Sequence, residues 1–184
     1  MENFNIILAE LSAAGKELSQ ADADRLLQHI QKAKKVFVAG AGRTGFMSKS
    51  FCMRLMHMGV DSYVLGETVV SNFEAQDLII LASGSGETQS LISYANKAKT
   101  IGGTIIVVTI KPESSLAKLA DFVIKMPGAV KDYSPSSKDI PTIQPMGSLF
   151  EQCLLLFYDA VILDLMAKNN LDSTKMYGKH ANLE

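Results

Sequence analysis

With 184 residues, 47% of them hydrophobic and 20% charged, the chain has the size and apolar content of one globular domain with a full core, residues 1–184, and no room for a second large one. Its formal net charge of −1 at pH 7 argues against DNA or RNA, whose phosphates require a basic face, so any anion it binds is expected to be small. Cys52 and Cys153 stand alone in apolar stretches without metal-type spacing and read as reduced core residues. The opening MENFNIILAELSAAGKEL carries Glu2 and Glu10 inside a helical pattern, no export signal is visible, and a cytoplasmic location is expected.

In chain order, Phe4, Ile7, Leu8 and Leu11 mark an amphipathic opening helix, and Leu26, Leu27 and Ile30 mark a second that starts near Ser19 or Asp22. Five short β-branched runs follow: KVFVA (35–39), SYVL (62–65), DLIILA (77–82), TIIVVT (104–109) and DFVIKM (121–126). The third and fourth are apolar throughout, as central strands covered on both faces should be. TGFMSKSFCMRLMHMG, ETQSLISYANKAKTIG and the shorter PESSLAKLA supply crossover helices. This alternation predicts a three-layer α/β/α sandwich with a five-stranded parallel sheet. Residues 127–146 hold four of the five prolines and little periodicity, a length of irregular chain expected to pass near the site, with Gln144 and Met146 closest. SLFEQCLLLFYDAVILDLMAKNN is apolar almost all round but interrupted by Glu151, Asp159 and Asp164, which fits a helix buried on both sides better than a membrane span.

Ligands of parallel sheets collect at the C-terminal ends of the strands, and two loops stand out there. GAGRTG (40–45) fits G-x-G-x-x-G, with Glu67 placed as a ribose ligand, but glycines serve any tight strand-to-helix turn. The chain is also short for a dinucleotide domain plus a substrate domain, Arg43 sits badly against a pyrophosphate, and GFM stands where a Walker A motif needs Gly-Lys-Ser/Thr. The second loop, SGSGET (83–88), could surround a phosphate with hydroxyls and with the amides of the following helix N-terminus; its plain alternative is a turn with Ser85 or Thr88 as N-cap. Ser83 where G-x-S-x-G needs its first glycine removes the serine-hydrolase reading.

Together the two loops, on such a sheet, resemble the sugar isomerase (SIS) domain, whose fold is flavodoxin-like, and within it the 6-phospho-3-hexuloisomerase branch. GAGRTGFMSKSFCMRLMHMG, SGSGET, QPMGSLFEQ and the terminal KMYGKHANLE carry the likeness. The resemblance implies that Ser83, Ser85 and Thr88, with amides at Gly84, Gly86 and Glu87, hold a substrate phosphate, and that Gly42, Arg43 and Thr44 border the sugar. It also implies no metal, no redox cofactor, a homotetramer, and interconversion of a phosphorylated 3-ketohexose with fructose 6-phosphate, the step after formaldehyde is fixed onto a pentulose phosphate.

Moving a carbonyl from C3 to C2 requires a base that removes the C2 proton and returns one to C3 through a cis-enediol; one carboxylate over both carbons suffices. Glu151 is the candidate on the family likeness, whereas its local sequence reads equally as a capping box with Ser148. Glu87 is the rival, its side chain expected to turn away from a bound dianion. Among the histidines, His29 reads as a surface residue, and His57 as a cation at a helix C-terminus. His180 sits in a polar tail whose default is disorder; the tail's likeness to the family's ending implies instead a docked segment in which His180 is a second catalytic group reaching a neighbouring subunit's site. The other readings are a related phosphosugar isomerase and a non-catalytic sugar-phosphate sensor.

Overall fold

The computed structural model describes residues 1–129, 141–178 and 180. Two N-terminal helices, α1 (Glu2–Gly15) and α2 (Gln20–Lys32), precede β1 (Val36–Gly40), α3 (Gly42–His57), β2 (Ser62–Val64), β3 (Leu78–Ala82), α4 (Gln89–Ile101), β4 (Thr104–Thr109) and β5 (Phe122–Lys125). The chain closes with α5 (Ser148–Lys168) and the short α6 (Ser173–Tyr177). All neighbouring strands pair in parallel in the order β2-β1-β3-β4-β5. This is the flavodoxin-like order, in which the direction of strand addition across the sheet switches between β1 and β3 and leaves a crevice between their following loops.

The five expected strands all form. β3 and β4 are central because Leu78–Ala82 and Ile105–Thr109 are buried on both faces. One layer packs α2, α3 and α5 on the sheet through Leu26, Leu27, Phe51, Leu55, Leu154 and Phe157. The other uses α4, through Leu91, Ala95 and Ala98, and the Leu116–Ala117 segment. Ser19 caps α2 by accepting the Asp22 amide, as its sequence position predicts.

One expectation is corrected, and two helices show apolar surface left uncovered in a single chain. The helix read in 112–120 is a single 3-10 turn, Ala117–Leu119, because the Leu116 amide donates to the Gly86 carbonyl and ties the segment to the neighbouring loop. Only Ala14 of α1 is buried, and Phe4 and Leu8 are 55% and 49% exposed, so the opening helix leaves most of its apolar stripe uncovered in one chain. α5 is buried at ten positions yet leaves Leu156 and Leu163 exposed on its outer side. Among the described residues no helix is long and apolar enough to cross a membrane.

Candidate active site

The C-terminal ends of β1, β3 and β4 open into a cavity of about 500 Å³. Gly42 and Thr44 line it after β1, Ser83, Gly84, Ser85, Glu87 and Thr88 after β3, and Met146, Gly147 and Glu151 at the start of α5. Two segments singled out in the sequence thus share one cavity with the candidate base.

Gly40 and Gly45 of GAGRTG serve packing. A Cβ on Gly45 would lie 2.7 Å from the Gly40 carbonyl oxygen, so bare backbone lets α3 start directly against the end of β1. That turn sends the Arg43 side chain across to α5. Arg43 Nη1 donates to Glu151 Oε2 at 2.9 Å and to Ser148 Oγ at 2.9 Å, while Ser148 Oγ donates to the Pro145 carbonyl at 2.7 Å. Glu151 is 3% exposed, so its carboxylate is a buried charge whose partner reaches it from the half-exposed side of the site. The capping box between Ser148 and Glu151 does not form. Gly147 occupies the N-cap at φ 80°, Ser148 is already helical, and Glu151 is left for the cavity. Met146 precedes it at φ 59°, so two consecutive left-handed residues aim the first turn of α5.

The hydroxyl loop is tightly self-bonded. Ser83 Oγ lies 3.0 Å from Thr88 Oγ1 and accepts the Gly86 amide at 3.1 Å; Ser85 Oγ accepts the Glu87 amide at 3.2 Å. Two of the three amides expected to face a phosphate are therefore engaged by the loop's own hydroxyls. The first turn of α4 opens from the same loop; the Leu91 amide donates to the Thr88 carbonyl at 3.1 Å, and the Gln89 and Ser90 amides at the helix start are the further donors it offers. Thr88 stands at the N-cap position but makes no capping bond with its side chain, which instead faces Ser83. Glu87 turns toward Ser115, whose amide donates to Oε1 at 2.9 Å and holds the carboxyl below its ordinary range.

Lys111, just past β4, also lines the cavity and was missed in the sequence, although the rule that ligands gather at strand C-termini could have found it. Gln144, expected near the ligand, is instead buried with its Nε2 on Glu10 of α1, while Met146 does border the cavity. Residues 130–140 of the proline-rich stretch lie outside the described residues. Glu67, placed as a ribose ligand, pairs with Lys49.

His180 is not brought to Glu151 within one chain. Its ring stacks on His57 at 5.3 Å and on Tyr177 at 5.9 Å, in a second cavity of about 430 Å³ bordered by Asp159 and Met166. Those α5 positions lie two to four turns beyond Glu151, roughly 12 to 22 Å at ~1.5 Å per residue. His57 is 5% exposed, and burial, then Arg54 and His180, push its pKa down. The helix-terminal cation read from sequence is therefore a neutral-favouring buried imidazole. Cys52 and Cys153 are free and buried, and burial lifts the Cys153 thiol to about 11. Among the described residues no group of three or more His, Cys, Asp or Glu could hold a metal ion.

The fold, the hydroxyl loop and the Arg43–Glu151 pair meet a family match: the SIS domain, over residues 29–155. The chain belongs to the SIS family. It is 54% identical over 178 residues to the 3-hexulose-6-phosphate isomerase of Bacillus subtilis, covering 97% of this chain and 95% of that one. A 3-hexulose-6-phosphate isomerase of Methanocaldococcus jannaschii is 39% identical, covering 87% and 83%. A solved Methanococcus jannaschii protein, for which a 3-hexulose-6-phosphate isomerase function was inferred, superposes with a TM-score of 0.85 at 34% identity over the full length of both chains. In this SIS protein a buried carboxylate, that of Glu151, stands in the cavity at the entry of α5.

Proposed function

We propose that this SIS chain interconverts D-arabino-hex-3-ulose 6-phosphate and D-fructose 6-phosphate, the isomerisation for which its relatives are named. The observation that carries this reading is one cavity holding both a hydroxyl-rich loop and a buried carboxylate paired with an arginine. A sensor needs only the first; proton transfer needs the second.

In the proposed mechanism the substrate phosphate sits on Ser83, Ser85 and Thr88 and the first-turn amides of α4, with Lys111 nearby as a counter-charge. Gly84, Gly86 and Glu87 shape the loop, and Gly42 and Thr44 border the carbon chain. Glu151 takes the C2 proton, the C–H electron pair becomes the C2=C3 bond, and the C3 carbonyl oxygen gains a proton to give the cis-enediol. Loss of the C2 hydroxyl proton then forms the C2 carbonyl, and the proton held by Glu151 goes to C3. Arg43, beside that carboxylate, stabilises charge developing on the enediol oxygens. The cycle consumes no oxidant, reductant or cofactor. His180 completes the site of a neighbouring subunit in a cytoplasmic homotetramer. The exposed Phe4, Leu8, Leu156 and Leu163 support such an assembly, since they leave apolar surface on α1 and α5 for partner chains.

The test is conversion of enzymatically generated hex-3-ulose 6-phosphate into fructose 6-phosphate, in EDTA, by the wild type and Glu151→Gln. Turnover in the wild type that is lost in a folded variant supports the reaction and its proton carrier. An inactive wild type rejects this sugar and leaves another phosphosugar for the same cavity. Full activity in the variant moves the base to another group.

A further inference from the structure

Glu10 of α1 lies outside the cavity, yet it receives three hydrogen bonds from three consecutive residues far along the chain. Thr142 Oγ1 donates to Oε2 at 2.6 Å, the Ile143 amide to Oε1 at 2.8 Å, and Gln144 Nε2 to Oε2 at 2.9 Å. The Gln144 amide also donates to Thr142 Oγ1 at 3.0 Å, which closes the segment into a compact turn around the carboxylate. Burial acts to raise the Glu10 pKa, but the bonds from Thr142, Ile143 and Gln144 outweigh it and hold the group below the ordinary glutamate value.

The clamped segment leads straight into the reacting end of the site. Pro145 follows it and accepts from both the amide and the hydroxyl of Ser148; Met146 and Gly147 are left-handed; Ser148 and Glu151 receive Arg43. A non-glycine residue such as Met146 in that conformation costs about 1 kcal/mol or more and persists only where its surroundings hold it. On one side it is held by the first turn of α5. On the other, the hydrogen-bond anchors among the described residues are those at Glu10, because Thr142, Ile143 and Gln144 all bond there.

Resting on the reading of Glu151 as proton carrier, we propose that Glu10 is a positioning residue: it fixes residues 142–144 so that the left-handed Met146–Gly147 turn presents Glu151 to C2 and C3. It touches neither the substrate nor the phosphate loop. Its loss should therefore lower the rate of proton transfer while leaving phosphate anchoring intact. Small displacements of a reacting group are enough for such an effect.

The experiment pairs steady-state kinetics on hex-3-ulose 6-phosphate with amide hydrogen exchange on the unliganded full-length protein, for wild type, Glu10→Gln and Thr142→Val. Glu10→Gln should lower kcat about tenfold and leave KM within about twofold. Exchange at 143–150 should quicken about tenfold, with residues 83–90 unchanged. Thr142→Val, which removes one donor of three and is the milder test should the first variant fold poorly, should shift both readouts in the same direction by less. Unchanged kcat in Glu10→Gln, or faster exchange spread evenly over the sheet, overturns the positioning role. An inactive wild type whose 143–150 exchange still responds supports the clamp and rejects the proposed reaction; an unresponsive 143–150 segment rejects the clamp whatever the activity.

Discussion

Arg43 Nη1 and Glu151 Oε2 lie 2.9 Å apart although 108 residues separate them, and the two side chains differ sharply in exposure, 50% against 4%. Removing the exposed partner strands a buried charge; removing the buried one releases a cation that water can solvate. Arg43→Ala should therefore destabilise the fold by about 1 to 2 kcal/mol, less than the loss of one member of a fully buried pair because water reaches the arginine side. Glu151→Gln should cost much less, and adding it to Arg43→Ala should restore most of the loss. Urea titrations of the two single variants and the double variant measure this directly. Equal losses in both single variants would show that the pair is not buried asymmetrically in solution.

The phosphate loop makes a separable prediction. Thr88→Val keeps the shape of the side chain and removes the hydroxyl that faces Ser83 Oγ. If that hydroxyl binds phosphate, KM should rise about tenfold with kcat changed little, the signature of lost uniform binding. Gly86→Ala should be far more damaging, since φ is +67° and the new Cβ would sit 1.9 Å from Ser114 Oγ, displacing the whole loop. Fructose 6-phosphate titrations by calorimetry separate the two: weakened binding with an unchanged melting temperature for Thr88→Val, and losses in both for Gly86→Ala.

The strands were legible because burial between two helical layers leaves few residue types besides Val, Ile, Leu and Ala in β3 and β4, and such runs announce themselves locally. The hydroxyl loop was legible for a related reason: strand ends in a parallel sheet are where ligands gather. What stayed hidden depends on distant partners. Ser148 and Glu151 have the spacing of a capping box, and only the left-handed Met146–Gly147 turn, with Arg43 arriving from α3, turns Glu151 to the cavity. Gln144 reads as close to the site because it lies in the irregular proline-rich stretch expected to pass there; Met146 does border the cavity, but the Gln144 side chain is taken by a carboxylate on α1. His57 reads from sequence as a cation at a helix C-terminus, and only the packing of Tyr177 and His180 around that end reveals its burial.

That burial predicts how stability responds to acid. The groups around the His57 ring are Arg54 from its own helix, at 3.4 Å from Nδ1, Asp159 from α5, and Tyr177 and His180 from the C-terminal segment. Burial first, then Arg54 and His180, depress the pKa of His57 below its ordinary 6.5. The unfolded chain therefore binds this proton more readily than the folded one. The contribution of His57 to stability is fully present above about pH 6.5 and is lost as pH falls through the folded-state value. His29 is depressed as well, by burial and by Arg25 and Lys32, so the wild type carries two such contributions. The midpoint of urea unfolding should fall between pH 7.5 and pH 5.5 in the wild type, and His57→Gln should make that fall shallower, leaving the part due to His29. A His57→Gln profile parallel to the wild type would mean that the ring is as accessible to protons in the folded chain as in the unfolded one. The packing of His180 against it would then not persist in solution.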